Sequence, residues 1–535
     1  MELSLNSLKL GEGRIINSIS ALNYDGGMSA SYCVIGSGPA GGVVAAELVK
    51  QGQDVIVIEA GGEKEASSFN TVVDKTIVGQ VDLTLGRAFQ LGGSSNLWAG
   101  RVAPLDPIDF EYRNWVDNIT WPMSRKSLDP YYRRAIELLG LSSEAFEDNY
   151  YAVNDKKFKR LFDGNQTTLK PFVWSKPPFR IADYILGYVS SETGSLRLLT
   201  DAIVGELESD PAGNIKAALV TCKNGNHIRV EARYFILAAG GLEVPRIMLN
   251  SNGVFKDGIG NKNGLVGRFL STHPKADLAV LKLKRPIFTS NALFSDQSFK
   301  GNSVRLGISL SRDVQTAEKL LNHYIQLSSF SEIQANRAFE LIKKKVYSSK
   351  FITREQVNGR LFRNLGLWVF NRIGRVAKVQ PLAGSLIVRG FLDQYPDPDN
   401  CVRLSSELDD MGLRKIEVNW RYTDRDKKSV IDFLKKLAHE FSRHDIGELD
   451  YSGLESLKEW RLNAMHSHYL GTTRMSSDAN LGVVDENCQV YGCENLFVAG
   501  PSIFTTYGNA NPFLTICAFS MRLADHFAGI RDKNL

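Results

Sequence analysis

An apolar run, Tyr32-Cys33-Val34-Ile35, empties into Gly36-Ser37-Gly38-Pro39-Ala40-Gly41 and then into the small-residue stretch Val43 to Val49. A second apolar run, Val55-Ile56-Val57-Ile58, ends at Glu59, 18 residues past Gly41. No other stretch restricts the fold as tightly. Strand, glycine turn, helix, strand and acid follow one another as in a parallel βαβ unit that cradles a dinucleotide. The glycines have separate tasks: Gly36 turns the chain, Gly38 admits a pyrophosphate to the backbone, and Gly41 lets the helix lie close to the strand. Pro39 and Ala40 open that helix, whose first N–H groups and partial positive charge face the phosphates. Glu59, followed by Ala60, is placed to accept hydrogen bonds from a ribose.

At 535 residues the chain exceeds one ordinary core, so two domains, or one with large insertions, are expected. A net charge of +5 is small for that length and gives no reason to expect nucleic acid. The six cysteines are scattered, with no disulfide framework and no metal-ligand spacing, which fits a reducing, cytoplasmic setting. The N-terminus lacks the basic start and apolar core of a secretory signal. No run reaches the roughly 18 apolar residues of a bilayer span.

A second glycine cluster runs from Arg87 to Gly100 and contains Gly92, Gly93, Ser94, Asn96, Leu97 and Ala99. It reads either as a loop on which a flat ligand lies against backbone, or as a tight surface loop. An amphipathic helix is expected over 128–139, a strand over 198–207, and a hairpin turn at 223–226. Tyr234-Phe235-Ile236-Leu237 reads as a buried strand that breaks at Ala238-Ala239-Gly240-Gly241. A helix start with Pro245 in its first turn follows. The pattern divides the chain into 25–275, with insertions around 105–190, then a second domain over 276–455 with a long helical middle, then a motif-dense return over 456–535. Within the second domain, 337–378 holds eleven Lys or Arg against Glu340 and Glu355, interleaved with a Leu-Trp-Val-Phe cluster at 367–370. It reads as a solvated helix face, or as a surface that docks on a membrane or an acidic partner.

Five motifs in order, GSGPAGG with VIEAGG, LGGSSNLWAG, FILAAGGLEVPRIML, VGRFLSTHP and HYLGTTRM through GVVD, NLFVAG and NANPFLT, resemble the glucose-methanol-choline (GMC) family of FAD-dependent oxidoreductases. The resemblance runs nearly end to end and is thinnest over about 285–380. Its nearest flavour is that of bacterial sugar and polyol dehydrogenases and pyranose oxidases. It implies an α/β fold, a Rossmann-type FAD-binding domain with an inserted α+β substrate-binding domain. It also implies site roles. His468, in the H-x-x-G-T pattern, matches the active-site histidine, and Asn511, before Pro512, matches its partner. Gly92 to Ala99 matches the loop against the flavin ring, and Val204 a backbone contact to adenine. Ala239, Gly240, Gly500, Pro512 and Phe513 fall in further FAD-contacting stretches. Some members attach FAD through a histidine in the glycine loop. Asn96, Leu97 and Trp98 stand there instead, which implies non-covalent FAD.

The residue chemistry agrees. Taking hydride from an alcohol carbon requires the hydroxyl proton to leave, and a neutral imidazole suits that base role. An amide such as Asn511 can fix the hydroxyl oxygen without competing for the proton. His466 is expected to be a supporting histidine, His273 a structural one, and His439, His444 and His526 have no assigned role. The expected activity is oxidation of a CH–OH group on a sugar, polyol, glycoside or other alcohol, by a dehydrogenase in preference to an oxidase. The electron acceptor stays open between quinone, carrier protein and oxygen. Two alternatives stay beside it: a relative of the family that keeps FAD as a redox-silent structural element for lyase chemistry, and a membrane-docked dehydrogenase.

Overall fold

The computed structural model describes residues 15–16, 27–62, 73–79, 86–147, 156–162, 165–189, 193–222, 226–288, 293–329, 382–455, 460 and 462–533. The basic segment 337–378 lies outside these residues, as does most of the expected helical middle.

The described residues form three sheets. The first contains β1 (Ile15–Ile16), β2 (Met28–Ile35), β3 (Asp54–Ile58), β7 (Ser195–Leu199), β8 (Ala202–Ser209), β9 (Ile215–Cys222), β10 (His227–Leu237) and β20 (Leu496–Val498). Their order is β1-β7-β3-β2-β10-β9-β8, with β20 also beside β10. From β1 to β10 the pairings are parallel, and β8, β9 and β10 pair antiparallel. Central parallel strands are covered on both faces, so Tyr32–Ile35 of β2 and Val55–Ile58 of β3 are apolar without alternation. The crossover from β2 to β3 is α1 (Pro39–Lys50). The strand order reverses beside β2, and the resulting crevice at the carboxyl ends of β2, β3 and β10 is where such sheets bind ligands. The expected strand over 198–207 is two strands, β7 and β8, separated by a turn in which Asp201 has φ 53°.

The second sheet holds β5 (Arg101–Val102), β6 (Thr167–Trp174), β11 (Ser271–Phe288), β12 (Gln297–Phe299), β13 (Asn302–Leu310), β14 (Tyr324–Ser329), β15 (Leu382–Phe391), β18 (Gly447–Asp450) and β19 (Asn463–Leu470). Its main order is β18-β11-β15-β14-β13-β6-β5, with β19 beside β11. It therefore recruits β5 and β6 from before residue 275 and β19 from after residue 455. Backbone pairing in this sheet joins segments far apart in the sequence. A third sheet joins β4 (Val73–Gly79), β16 (Cys401–Leu408) and β17 (Arg414–Trp420).

Two hydrophobic clusters correspond to the two large sheets. The first lies around α1, α2 (Arg125–Leu138) and α5 (Phe513–Lys533), the second around α4 (Asp424–Arg443). In its length and hydropathy, Phe513–Ile530 within α5 matches a bilayer span, but 67% of it is buried against the protein. Its apolar character is accounted for by the core it fills, against α1 and α2.

Pro245 lies inside α3 (Gly240–Asn250), not in its first turn as expected. A proline there withholds the N–H that would bond the carbonyl four residues back, that of Gly241. The buried hydroxyl of Thr472 donates to that carbonyl instead, at 2.7 Å. The break in the helix is thus repaired by the threonine of the H-x-x-G-T motif, which fastens the C-terminal motif to the first sheet's helix.

Candidate active site

The glycine turn is built as its sequence requires. Gly36 has φ 102°, and a Cβ on Gly41 would lie 1.8 Å from the Gly36 carbonyl oxygen. Around a Cβ on Gly38 the nearest atom is the Gly93 Cα at 4.0 Å, so a side chain there would fill the cleft. The cleft encloses about 1260 Å³ including its open mouth. Gly36, Gly38, Pro39, Ala40, Glu59, Ala60, Gly93, Ser94, Val204, Ala239, Gly240, His468 and Pro512 line it, together with Gly86, Arg87, Phe89 and Glu243. Arg87 and Glu243 form an ion pair on its wall.

Ser37 connects three motifs. Its N–H and its hydroxyl both donate to Glu59 Oε2, at 2.9 and 2.6 Å, and the Gly92 N–H donates to the same hydroxyl at 2.9 Å. Gly61 N–H donates to Glu59 Oε1 at 3.0 Å. Burial pushes the Glu59 carboxyl above its ordinary range, and these donors act against that rise. Ser37 occupies a variable position of the glycine pattern, so only its contacts reveal its part. Asn96 donates to the Leu91 and Gly93 carbonyls and so closes the second glycine loop on itself. Leu97 is exposed, and Trp98 stacks on Phe513 with 3.8 Å between ring centroids. Gly41, Gly92, Asn96, Leu97, Ala99, Gly500, Asn511 and Phe513 shape the surroundings without lining the cleft.

His468 stands where β19 departs from regular pairing with β11. Ser271 faces Leu470 and His273 faces Met465, so a two-residue step on β11 spans a five-residue step on β19. The extra residues swing His468 onto His273, with 3.0 Å between the two Nδ1 atoms. His273 Nε2 lies 3.1 Å from the Tyr507 carbonyl oxygen. The tautomers follow by elimination. A carbonyl only accepts, so His273 carries its proton on Nε2 and leaves Nδ1 as an acceptor. His468 must then donate from Nδ1, and its Nε2 lone pair is left for the cleft. Both rings are held neutral. Burial, with the charges of Lys170 and Lys275, pushes His273 down to about 4. Burial first, then His273, Lys275 and Arg101, push His468 well below its ordinary value. Local sequence had marked His273 as structural, and the contact that gives it a further part spans 195 positions.

The Asn511 side chain makes no hydrogen bond among the described residues. Gly471, with φ 82°, passes so close to Phe269 and Tyr507 that its Cβ would lie 2.5 Å from the Phe269 carbonyl oxygen. The glycine and threonine of H-x-x-G-T are therefore both fixed by contacts to the first layer. The described residues hold no His, Cys, Asp or Glu cluster suited to a metal.

The family model of GMC oxidoreductases matches residues 396–520, the stretch that carries His468 and Asn511. Residues 396–520 thus carry the GMC oxidoreductase C-terminal domain. The chain is 24% identical to 2-methyl-1,2-propanediol dehydrogenase of Mycolicibacterium austroafricanum, over 92% of its own length and 94% of the relative. It is 24% identical to paromamine 6'-oxidase of Streptomyces fradiae, over 93% and 91%. Among solved structures, formate oxidase shares the fold at a TM-score of 0.57 and 17% identity, covering 95% of this chain and all of that one. As a flavoprotein it presents a cleft whose glycine cradle, helix N-terminus and buried Glu59 fit a dinucleotide such as FAD.

Proposed function

We propose that the protein oxidises a CH–OH group of a sugar, polyol or other alcohol, with His468 as the base and Asn511 as its partner. The observation that carries this reading is the His468–His273 hydrogen bond, which leaves one neutral imidazole nitrogen free on the wall of a dinucleotide cleft. FAD, when bound, supplies the hydride acceptor. His468 Nε2 takes the hydroxyl proton, and His273 holds the ring in the tautomer that makes this nitrogen basic. The Asn511 amide is available to fix the hydroxyl oxygen. Ser37, Glu59 and the first turn of α1 would hold the adenosine and pyrophosphate portions. The absence of histidine from the Gly92–Gly100 loop supports FAD held without a covalent bond. Both dehydrogenases and oxidases occur among the relatives. We assign the dehydrogenase role, and oxygen consumption during turnover tests that choice.

The test of the base is anaerobic flavin reduction by a panel of alcohols and sugars. His468→Ala should keep the flavin spectrum and slow reduction on the order of a hundredfold or more. His466→Ala should do much less. The reverse ranking rejects His468 as the base.

A further inference from the structure

The inner face of the second sheet, next to the two histidines, holds two cations without acidic partners. Lys275 on β11, Phe391 on β15 and Tyr324 on β14 are registered across neighbouring strands. The Lys275 ammonium sits 4.7 Å from the Phe391 ring centroid and makes no hydrogen bond or ion pair among the described residues. Arg101 lies 4.6 Å from the centroid of the same ring and 4.1 Å from that of Phe172. One of its terminal nitrogens donates to the Tyr324 hydroxyl at 2.8 Å, and its buried Nε has no partner.

The nearby acids are already engaged. Asp277 accepts from Arg389 at 2.8 Å, and Asp296 lies 3.6 Å from Arg305. Burial lowers both Lys275 and Arg101 from their ordinary values; the charges of Arg101 and Arg389 add to the fall at Lys275, and that of Arg305 to the fall at Arg101. Both also act on His468, so they share its electrostatic surroundings. Gln326, two residues along β14 from Tyr324 and thus on the same face, is buried with its amide nitrogen unpartnered. Unpaired like charges and an orphaned donor in one apolar region cost folding stability, and aromatic rings do not cancel that cost. Their common complement is an anion. The unused edge of a guanidinium matches two coplanar oxygens, whereas an ammonium acts as a point charge.

We propose that this face binds a carboxylate on the substrate, so that the preferred alcohol is a hydroxy acid of the sugar-acid kind and not a neutral sugar. The assignment rests on the oxidation reading above and extends it to a substrate class. Cation–π contacts to Phe391 hold the two charges in place until the carboxylate arrives.

The experiment compares matched pairs in anaerobic flavin reduction: gluconate against sorbitol, glucuronate against glucose, and glucose 6-phosphate as the phosphate counterpart. The acids should give the higher kcat/KM. Lys275→Met and Arg101→Met should each lower the acid-to-neutral ratio about tenfold or more, the loss expected for one charge-assisted bond. Malonate, which has no hydroxyl, should bind to wild-type holoenzyme in titration calorimetry and compete with the acids. This arm needs no variant to fold and no alcohol to react. Equal efficiency for acids and neutral partners, or absence of malonate binding, overturns the proposal even where neutral alcohols bleach the flavin. Preference for the phosphate ester over the carboxylates overturns it as well. Malonate binding that is lost in Lys275→Met, with no alcohol or acid reducing the flavin, supports the anion site and rejects the oxidation reading.

Discussion

Replacing His273 removes the acceptor that fixes His468, the proposed base, and the size of the effect follows from the geometry. In His273→Phe the His468 Nδ1–H loses its partner at 3.0 Å in a part-buried setting. An unsatisfied buried donor costs about 1–3 kcal/mol. The ring can recover part of this by turning, or by shifting its proton to Nε2, and either change removes the basic lone pair from the reacting position. At 1.36 kcal/mol per factor of ten, the limiting rate of flavin reduction should fall about 5- to 150-fold. Half-saturation should change little, because His273 is not placed on the substrate. His273→Asn can offer an oxygen to His468 and an amide to Tyr507, so it should retain more activity than the phenylalanine variant. The pH profile gives a second readout. Wild-type His468 is depressed, so the rate should hold down to below pH 6.5 and fail only as the imidazole protonates. Without the His273 contribution the acid limb should move to higher pH. The assay is anaerobic stopped-flow reduction across pH, with flavin content and melting temperature as controls. A phenylalanine variant with the wild-type limiting rate and acid limb would refute the tautomer argument.

Glu59→Ala should weaken FAD retention on dialysis by about 1.5–3 kcal/mol, the worth of a hydrogen bond to a charge. Ser37→Ala should have a smaller effect if Glu59 contacts the ribose directly, and equal losses would show that Glu59 acts only by bracing the turn. Acid precipitation should release the flavin into the supernatant, and colour retained in the pellet would disprove non-covalent binding. Thr472→Val should destabilise the fold by about 1–3 kcal/mol because the Gly241 carbonyl loses its donor. In a Pro245→Ala background, where a backbone N–H returns, the same change should cost measurably less. Identical costs in both backgrounds, by denaturant midpoint, would reject the repair. Finally, His273 titrates near 4 in the fold against about 6.5 unfolded, so its stabilising contribution is complete above about pH 6.5 and is lost as the pH falls toward 4. It amounts to about 3 kcal/mol, and thermal melts of wild type and His273→Asn should converge over that window.

The parts legible in the sequence were those encoded by near neighbours. The turn from Gly36 to Gly41, the strands on either side of it and the position of Glu59 depend on spacing within one βαβ unit, and the structure brings them together on one cleft. The longer pairings could not be read this way. Nothing local to Arg101 predicts that it joins a sheet begun by β11, because β5 is only two residues long. Pro245 reads as a helix opener wherever one looks only at its neighbours, since the donor that permits it mid-helix is 231 positions from the carbonyl it serves. His273 sits in an unremarkable Thr-His-Pro context, and its meaning comes wholly from the strand that crosses it.

That crossing strand has a mechanical consequence. β19 belongs to the second sheet through β11, yet from Gly471 onward the chain is tied to the first layer. Gly471 N–H donates to Pro501 O and Thr473 N–H to Ser502 O, beside the Thr472 bond to α3. His468 therefore rides on the seam between the two halves and cannot follow one without straining against the other. If His468 is the base, a motion that spread the halves would draw its imidazole away from the alcohol's hydroxyl. Closure of the seam would then be a condition of proton removal by His468.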